Sequence, residues 1–163
     1  MTPADDRRRP RRDPSTEAIE DYAKAIYAIS LERDGLVLNG EVAQRLEVTP
    51  ATATSMLKRL AKLGLVEYVP YKGVTLSPAG EKVALEVIRH HRLIEAYLSQ
   101  ALGMDDDAIH EEAEVLEHYI SEELEQLMAE KLGEPSHDPH GSAIPGPDLR
   151  PPAAEARPDG SPS

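Results

Sequence analysis

The stretch VTPATATSMLKRLAKLG, residues 48–64, constrains this chain more than any other. Thr49 reads as an N-cap and Pro50 as the first helical residue, where a missing N–H costs nothing. Gly64 stands where a helix ends on a glycine. A helix pinned at both ends must bury one face, and Ala53, Met56, Leu57 and Leu60 supply it. The following LVEYVPYKGVTL reads as a hairpin, two β-rich runs about Lys72-Gly73, whose glycine accepts positive φ. Ser77-Pro78 then repeats the cap-and-proline start.

The flanking segments are helical. Ile19, Tyr22, Ile26 and Ile29 form one face of a helix from near Thr16 to near Arg33. A short helix over Gly40–Glu47 follows, with Asn39 as N-cap and Val42, Ala43 and Leu46 inward. The helix begun at Ser77 runs to about Ala101, with Ala84, Ile88, His91, Glu95 and Leu98 along one side, and Gly103 breaks it. Asp105, Asp106 and Asp107 start another, where acids favour the helix dipole, and Ile109, Ala113, Leu116 and Ile120 are its stripe. Ser121 caps a last helix through Leu132, ended by Gly133. The fold class expected is therefore mainly α: a disordered basic arm (1–14), a winged helix-turn-helix (15–76), a helical unit (77–134), and an extended or disordered Pro-, Gly- and Ser-rich tail (135–163). No internal repeat is visible.

Composition narrows the classes. The 163 residues suit one compact domain or two small ones. Phe and Trp are absent, so the core is built from Leu, Ile, Val, Ala, Met and Tyr. The absence of cysteine excludes disulfides and thiolate metal sites and suits a cytoplasmic protein. No apolar run is long enough to span a membrane, and the basic N-terminus is followed by no apolar segment, so it is not a secretory signal. The net charge of −12 is uneven. Residues 1–100 carry 15 Lys/Arg and 14 Asp/Glu, net +1, whereas residues 101–163 carry 3 and 16, net −13. Such asymmetry implies two jobs in two regions.

Three helices followed by a hairpin is the order of a winged helix. The second helix of its helix-turn-helix enters the DNA major groove, and its first residues reach base edges. Here those are Thr49, Ala51, Thr52, Thr54 and Ser55, whose hydroxyls and methyls can contact phosphates or bases. Lys58, Arg59, Lys62 and Lys72 can neutralise phosphates. The first turns hold no Arg, Asn or Gln, which favours shape readout and methyl contacts. A three-helix module that only packs or dimerises would show the same pattern. The Arg-rich arm reads equally as a DNA-backbone contact or a solvated tail.

A second constellation lies in IHEEAEVLEHYIS, residues 109–121. His110, Glu114, Glu117 and His118 fall at i, i+4, i+7 and i+8, on one side of a helix. His91 and Glu95 repeat the i, i+4 spacing on the preceding helix, and antiparallel packing across Gly103 would bring the sets together. Carboxylates and imidazoles without sulfur suit Mn²⁺, Fe²⁺ or Zn²⁺. One such residue alone reads as solvated or packed; the repeated spacing is what points to metal. Helical di-iron and di-manganese enzymes also gather these groups, but require Glu-x-x-His on two helices. Glu114 precedes His118 by four residues, and Val115 occupies the place that motif needs. No nucleophile, base and oxyanion donor converge, so no catalytic residue is assigned. His137 and His140 read as tail residues rather than ligands.

With IEDYAKAIYAI, VTPATATSMLKRLAKLGLV, KGVTLSPAGE, RHHRLIEAYL and IHEEAEVLEHYIS in view, residues 15 to 147 resemble the diphtheria-toxin-repressor family of metal-dependent transcription regulators, closest to its manganese-responsive branch. SHDPHGSAIPGP is similar to the segment after its dimerisation helices. The resemblance implies a homodimer that binds palindromic operator DNA when metal-loaded, represses metal-uptake genes and takes no small-molecule substrate. It implies Asp21, Glu114, Glu117 and His118 as the principal ligands and His91, Glu95 and His110 as the ancillary cluster. The cofactor implied is Mn²⁺, with Fe²⁺ the alternative, and up to two ions per subunit. Iron-type members carry methionine and cysteine where this chain has Asp21 and Glu114. Many manganese-type members carry glutamate where this chain has Lys24, which cannot ligate while protonated. The short stretch after IPGP implies that the C-terminal SH3-like domain of iron-type members is absent.

Overall fold

The structure is a computed structural model that describes residues 14–155; the Arg-rich arm, residues 1–13, and the last eight residues lie outside the described part. Six helices and one hairpin follow in order: α1 (Pro14–Glu32), α2 (Asn39–Leu46), α3 (Pro50–Lys62), β1 (Val66–Val69), β2 (Gly73–Leu76), α4 (Pro78–Gln100), α5 (Asp106–Leu116) and α6 (Glu122–Lys131).

Local chemistry explains most boundaries. Thr49 Oγ1 accepts from Thr52 N at 3.1 Å, Ser77 from Gly80 and Ser121 from Leu124, so three helices start on hydroxyl caps. The cap of α2 differs from the one expected: Leu38 is the N-cap, Asn39 is already helical, and the Glu41 side chain accepts from Leu38 N instead. Glu47 closes α2 in the left-handed region, φ 55°, which turns the chain sharply into α3. In the hairpin, β1 and β2 pair antiparallel with Val66 opposite Leu76 and Val69 opposite Gly73. The turn is thus residues 70–72 rather than Lys72-Gly73. Tyr71 takes a positive φ in that turn, φ 64°, and Gly73 at the start of β2 takes the positive φ expected of it, 130°, where a Cβ would also meet Val37 O at 2.3 Å. Val37 pairs with Val74 as an isolated third strand position.

Two apolar cores are strung on one helix. Tyr22 and Ile26 of α1, Val42 of α2, Leu57 and Leu60 of α3, Val74 of β2 and Leu85 of α4 share the first. Leu93 and Ile94 of α4 share the second with Ile109, Ala113, Ile120 and Met128. The 23 residues of α4 therefore run unbroken from one core to the other. The tail is extended but tied down. Arg89 and Arg92 donate to the carbonyls of Pro145 and Ala143, Glu155 accepts from Arg92 and from Tyr27 of α1, and Leu149 packs on the first core.

Candidate metal centre and nucleic-acid face

The metal-ligating candidates divide by location. The helix α5 stops at Leu116, so the single face expected to hold four donors is interrupted. Glu117 caps the helix and His118 sits in the following turn. Glu117 and His118 are each 1% exposed, whereas His110 and Glu114 remain largely in solvent. The turn sends the last two side chains under α1.

There, α1 supplies the partners. His118 Nε2 lies 2.8 Å from Asp21 Oδ1, and His118 Nδ1 lies 2.6 Å from Glu20 Oε2. Glu17, Asp21 and His118 each offer a donor atom within 4.8 Å of the others. Asp21 follows Glu17 by one helical turn, which brings both carboxylates to the same side of α1. Burial alone would lower the His118 pKa; hydrogen bonds to Asp21 and Glu20 and the charges of Asp21 and Glu117 reverse this and raise it to about 10. Two oxygen donors and one imidazole nitrogen, concentrated around a group that already attracts positive charge, fit a divalent cation of the harder kind.

Glu117 joins this group to a second one. Its Oε1 is 3.6 Å from His118 Nε2, its Oε2 is 2.5 Å from His91 Nδ1, and Lys24 Nζ donates to both oxygens, at 3.0 and 3.1 Å. His91 Nε2 meets Glu95 Oε1 at 2.6 Å. Burial lowers the His91 pKa, but the hydrogen bonds to Glu117 and Glu95 outweigh it and raise the value. His110 bridges outward, 3.1 Å from Glu95 and 2.9 Å from Glu114. His91, Glu95 and His110 form one donor group, and Glu95, Asp138 and His140 form another. Burial pushes the Glu95 pKa up, but hydrogen bonds from His91, His110 and His140 hold the carboxyl down at about 2.

The structure therefore places Glu17, Asp21 and His118 in one donor group, with Glu117 beside His118, and His91, Glu95 and His110 in the next. It turns Glu114 to His110 while leaving it in the same 430 Å³ cleft as Asp21, Lys24 and His118. His140, read from the sequence as a tail residue, has its Nδ1 3.0 Å from Glu95 Oε2, whereas among the described residues His137 meets Ser136 and pairs with the Ala143 backbone. Sequence reasoning also missed Glu17, Glu20 and Asp138. Signals existed: Glu17 and Glu20 line up with Asp21 and Lys24 at helical spacing, and Asp138-x-His140 has the two-residue spacing of donors on one side of an extended segment.

The other face is the front of α3. Ala51, Thr52, Ser55, Lys58 and Arg59 are exposed, as is Lys72 in the wing turn. The cations Lys58, Arg59, Lys62 and Lys72 make no ion pair with any described residue. Thr54 departs from the reading: it is half-buried and its hydroxyl accepts from Asn39 Nδ2 at 3.2 Å, which braces α2 against α3. Thr49 is committed to its cap.

Comparison with known proteins joins the two sites. Residues 15–74 match the family described as iron dependent repressor, N-terminal DNA binding domain, and residues 77–146 match iron dependent repressor, metal binding and dimerisation domain. The diphtheria toxin repressor of Corynebacterium efficiens is 35% identical over 131 residues, which is 80% of this chain but 56% of that protein. The chain thus spans little more than half the length of that relative. The transcriptional regulator MntR of Salmonella typhimurium is 38% identical over 114 residues, 69% of this chain and 71% of that one. A solved manganese-dependent transcriptional repressor in complex with manganese superposes with a TM-score of 0.76 at 39% identity, covering 83% of this chain and 62% of that chain. This is a family of transcriptional repressors, not of enzymes. From both halves of its sequence and from its fold, the chain belongs to the iron-dependent repressor family, the family of the diphtheria toxin repressor.

Proposed function

We propose that the chain is a manganese-responsive transcriptional repressor. It binds palindromic operator DNA as a cytoplasmic homodimer through the α3 face and the wing, and it silences metal-uptake genes. The observation that carries this reading is that donors from two separate parts of the chain, Glu17 and Asp21 on α1 and His118 beyond α5, lie within 4.8 Å of one another. A bound ion takes the place of the proton that His118 holds among these carboxylates. Asp21 and Glu17 hold it from the DNA-binding side, and His118 from the dimerisation side. The relative position of α3 and the dimerisation helices then follows from which donors are engaged, a shift of population governed by differential affinity. Glu95, Asp138 and His140, with His110 beside Glu95, are the ligands assigned to a second ion outside that cleft. The donors are oxygen and nitrogen throughout, which ranks Mn²⁺ first and Fe²⁺ as the alternative. The solved neighbour with manganese supports that order.

The apolar surface of the last helices provides the dimer face. Leu124 and Leu127 lie one turn apart on α6 and, with Val115 and Tyr119, are 44–58% exposed in the single chain. The decisive experiment is a titration of chelator-stripped protein with Mn²⁺, anaerobic Fe²⁺, Zn²⁺ and Co²⁺, with binding to fragments of its own genome followed by fluorescence anisotropy. Selective DNA binding that appears only with Mn²⁺ is the expected outcome; binding indifferent to metal sinks the proposal. Asp21→Ala should abolish the metal dependence, and full metal-dependent binding in that variant would break the link between α1 and the dimerisation side.

A further inference from the structure

Lys24 stands between the two donor groups. Its ammonium lies 3.0 and 3.1 Å from the two oxygens of Glu117 and 3.5 Å from His91 Nδ1. Both partners are of the kind that ligate a cation, and Glu117 is 1% exposed. A carboxylate buried to that degree must be neutralised in place or protonated. Lys24 comes from α1 and Glu117 from the far end of α5, 93 residues later, so the pair also joins the two parts of the chain. Lys24 lies one turn after Glu20 and three residues after Asp21, on the side of α1 that faces His118.

We infer that Lys24 is a resident cation: its ammonium occupies the position beside Glu117 and His91 that a second divalent ion would need, and it tethers α1 to the end of α5 before any metal arrives. Two consequences follow. The cleft under α1 takes one ion, held on the Asp21 and His118 side, because Glu117 and His91 are already engaged. The metal-free protein keeps α1 partly docked, so the ion tightens an existing joint instead of creating it. This inference rests on the reading of the cleft as a metal centre for its first consequence but not for its second.

Each consequence has its own readout. For the first, wild type and Lys24→Glu are compared by Mn²⁺ equilibrium dialysis and electron paramagnetic resonance. Glu117 lies between the His118 and His91 sides, so two ions bound there would share its carboxylate and their spins would couple. An ion taken up elsewhere shares no carboxylate with the first and stays uncoupled. Lys24→Glu should take up one more ion per subunit than wild type and show the coupled pair, while wild type shows isolated ions. A coupled pair already in wild type, or no additional ion in Lys24→Glu, overturns the exclusion. For the second, hydrogen exchange is measured in chelator on wild type and Lys24→Met, a neutral side chain of similar length. Amides of α1 should exchange about tenfold faster in the variant, with those of α6 unchanged. Equal α1 exchange in the two proteins overturns the tether. If neither protein binds Mn²⁺, the metal reading of the cleft fails, and the exchange experiment alone decides whether Lys24 is the tether.

Discussion

A residue's neighbours, more than its type, set its role here. Thr54 and Ser55 are adjacent hydroxyls at the start of α3, yet Thr54 is turned to Asn39 and only Ser55 is exposed. On the proposed reading, the phosphate contacts would fall to the cations that no described residue engages. Lys58→Ala and Arg59→Ala should each weaken DNA binding evenly across sequences and reduce the slope of log affinity against log salt by about 1. A slope unaltered in both variants would take α3 out of the interface. A different residue contributes to behaviour in acid. Glu125 accepts from Arg89 and from His90 Nε2, the latter at 2.7 Å. Burial raises the Glu125 pKa, but the bonds from His90 and Arg89 outweigh it and the value falls below the ordinary 4.5. A lowered folded pKa means stability that is fully present above pH 4.5 and lost as pH falls through the folded value. Denaturation midpoints of Glu125→Gln should be lower than wild type at neutral pH and decline less steeply in acid; parallel curves would remove Glu125 from the account.

At the scale of elements, the joint between the wing and α4 is tightly packed. Gly80 lies in the first turn of α4, where a Cβ would come within 1.9 Å of Leu65 O, a backbone atom that cannot swing away. Gly80→Ala should destabilise the fold by about 1–3 kcal/mol, read from urea denaturation. A wild-type midpoint would mean that the joint is loose. This junction also marks what sequence could and could not reveal. The Thr49-Pro50 and Ser77-Pro78 starts were legible because a cap is a local interaction between residues three apart. The hairpin turn was displaced because Gly73 is needed for a contact with Val37, 36 positions earlier in the chain, and nothing in the turn itself records that. In α5 the apolar stripe continued to Ile120 although the helix ended at Leu116, since the buried turn of residues 117–119 preserves the direction of the face. The donor residues at i, i+4 were legible in the same way as the caps. Their pairing was not, because Lys24–Glu117 and His140–Glu95 depend on how α1 and the tail lie across α4, over separations of 93 and 45 residues.

For the whole molecule, the division of charge matches the division of labour. The near-neutral first hundred residues carry the α3 cations that no described residue pairs, and on the proposed reading the acidic charge of the remainder would favour cation capture and discourage contact with DNA. The assembly should depend on the apolar faces of α6. Leu127→Asp should shift the protein from dimer to monomer in analytical ultracentrifugation and remove operator binding without unfolding the chain, since Leu127 is 55% exposed. A dimer of undiminished stability would place the interface elsewhere. Finally, the segment 134–155 closes the chain into a ring, from α4 through α5 and α6 and back by way of Glu155 to Tyr27 in α1. A ring carries tension differently from an open string of domains. Pulled between Pro14 and Glu155, the described part would first load the Glu155 contacts to Tyr27 and Arg92, and only after those parted would force reach the helices that frame the donor clusters. A load applied at Glu155 would thus meet these contacts before it met the joint between α1 and the end of α5.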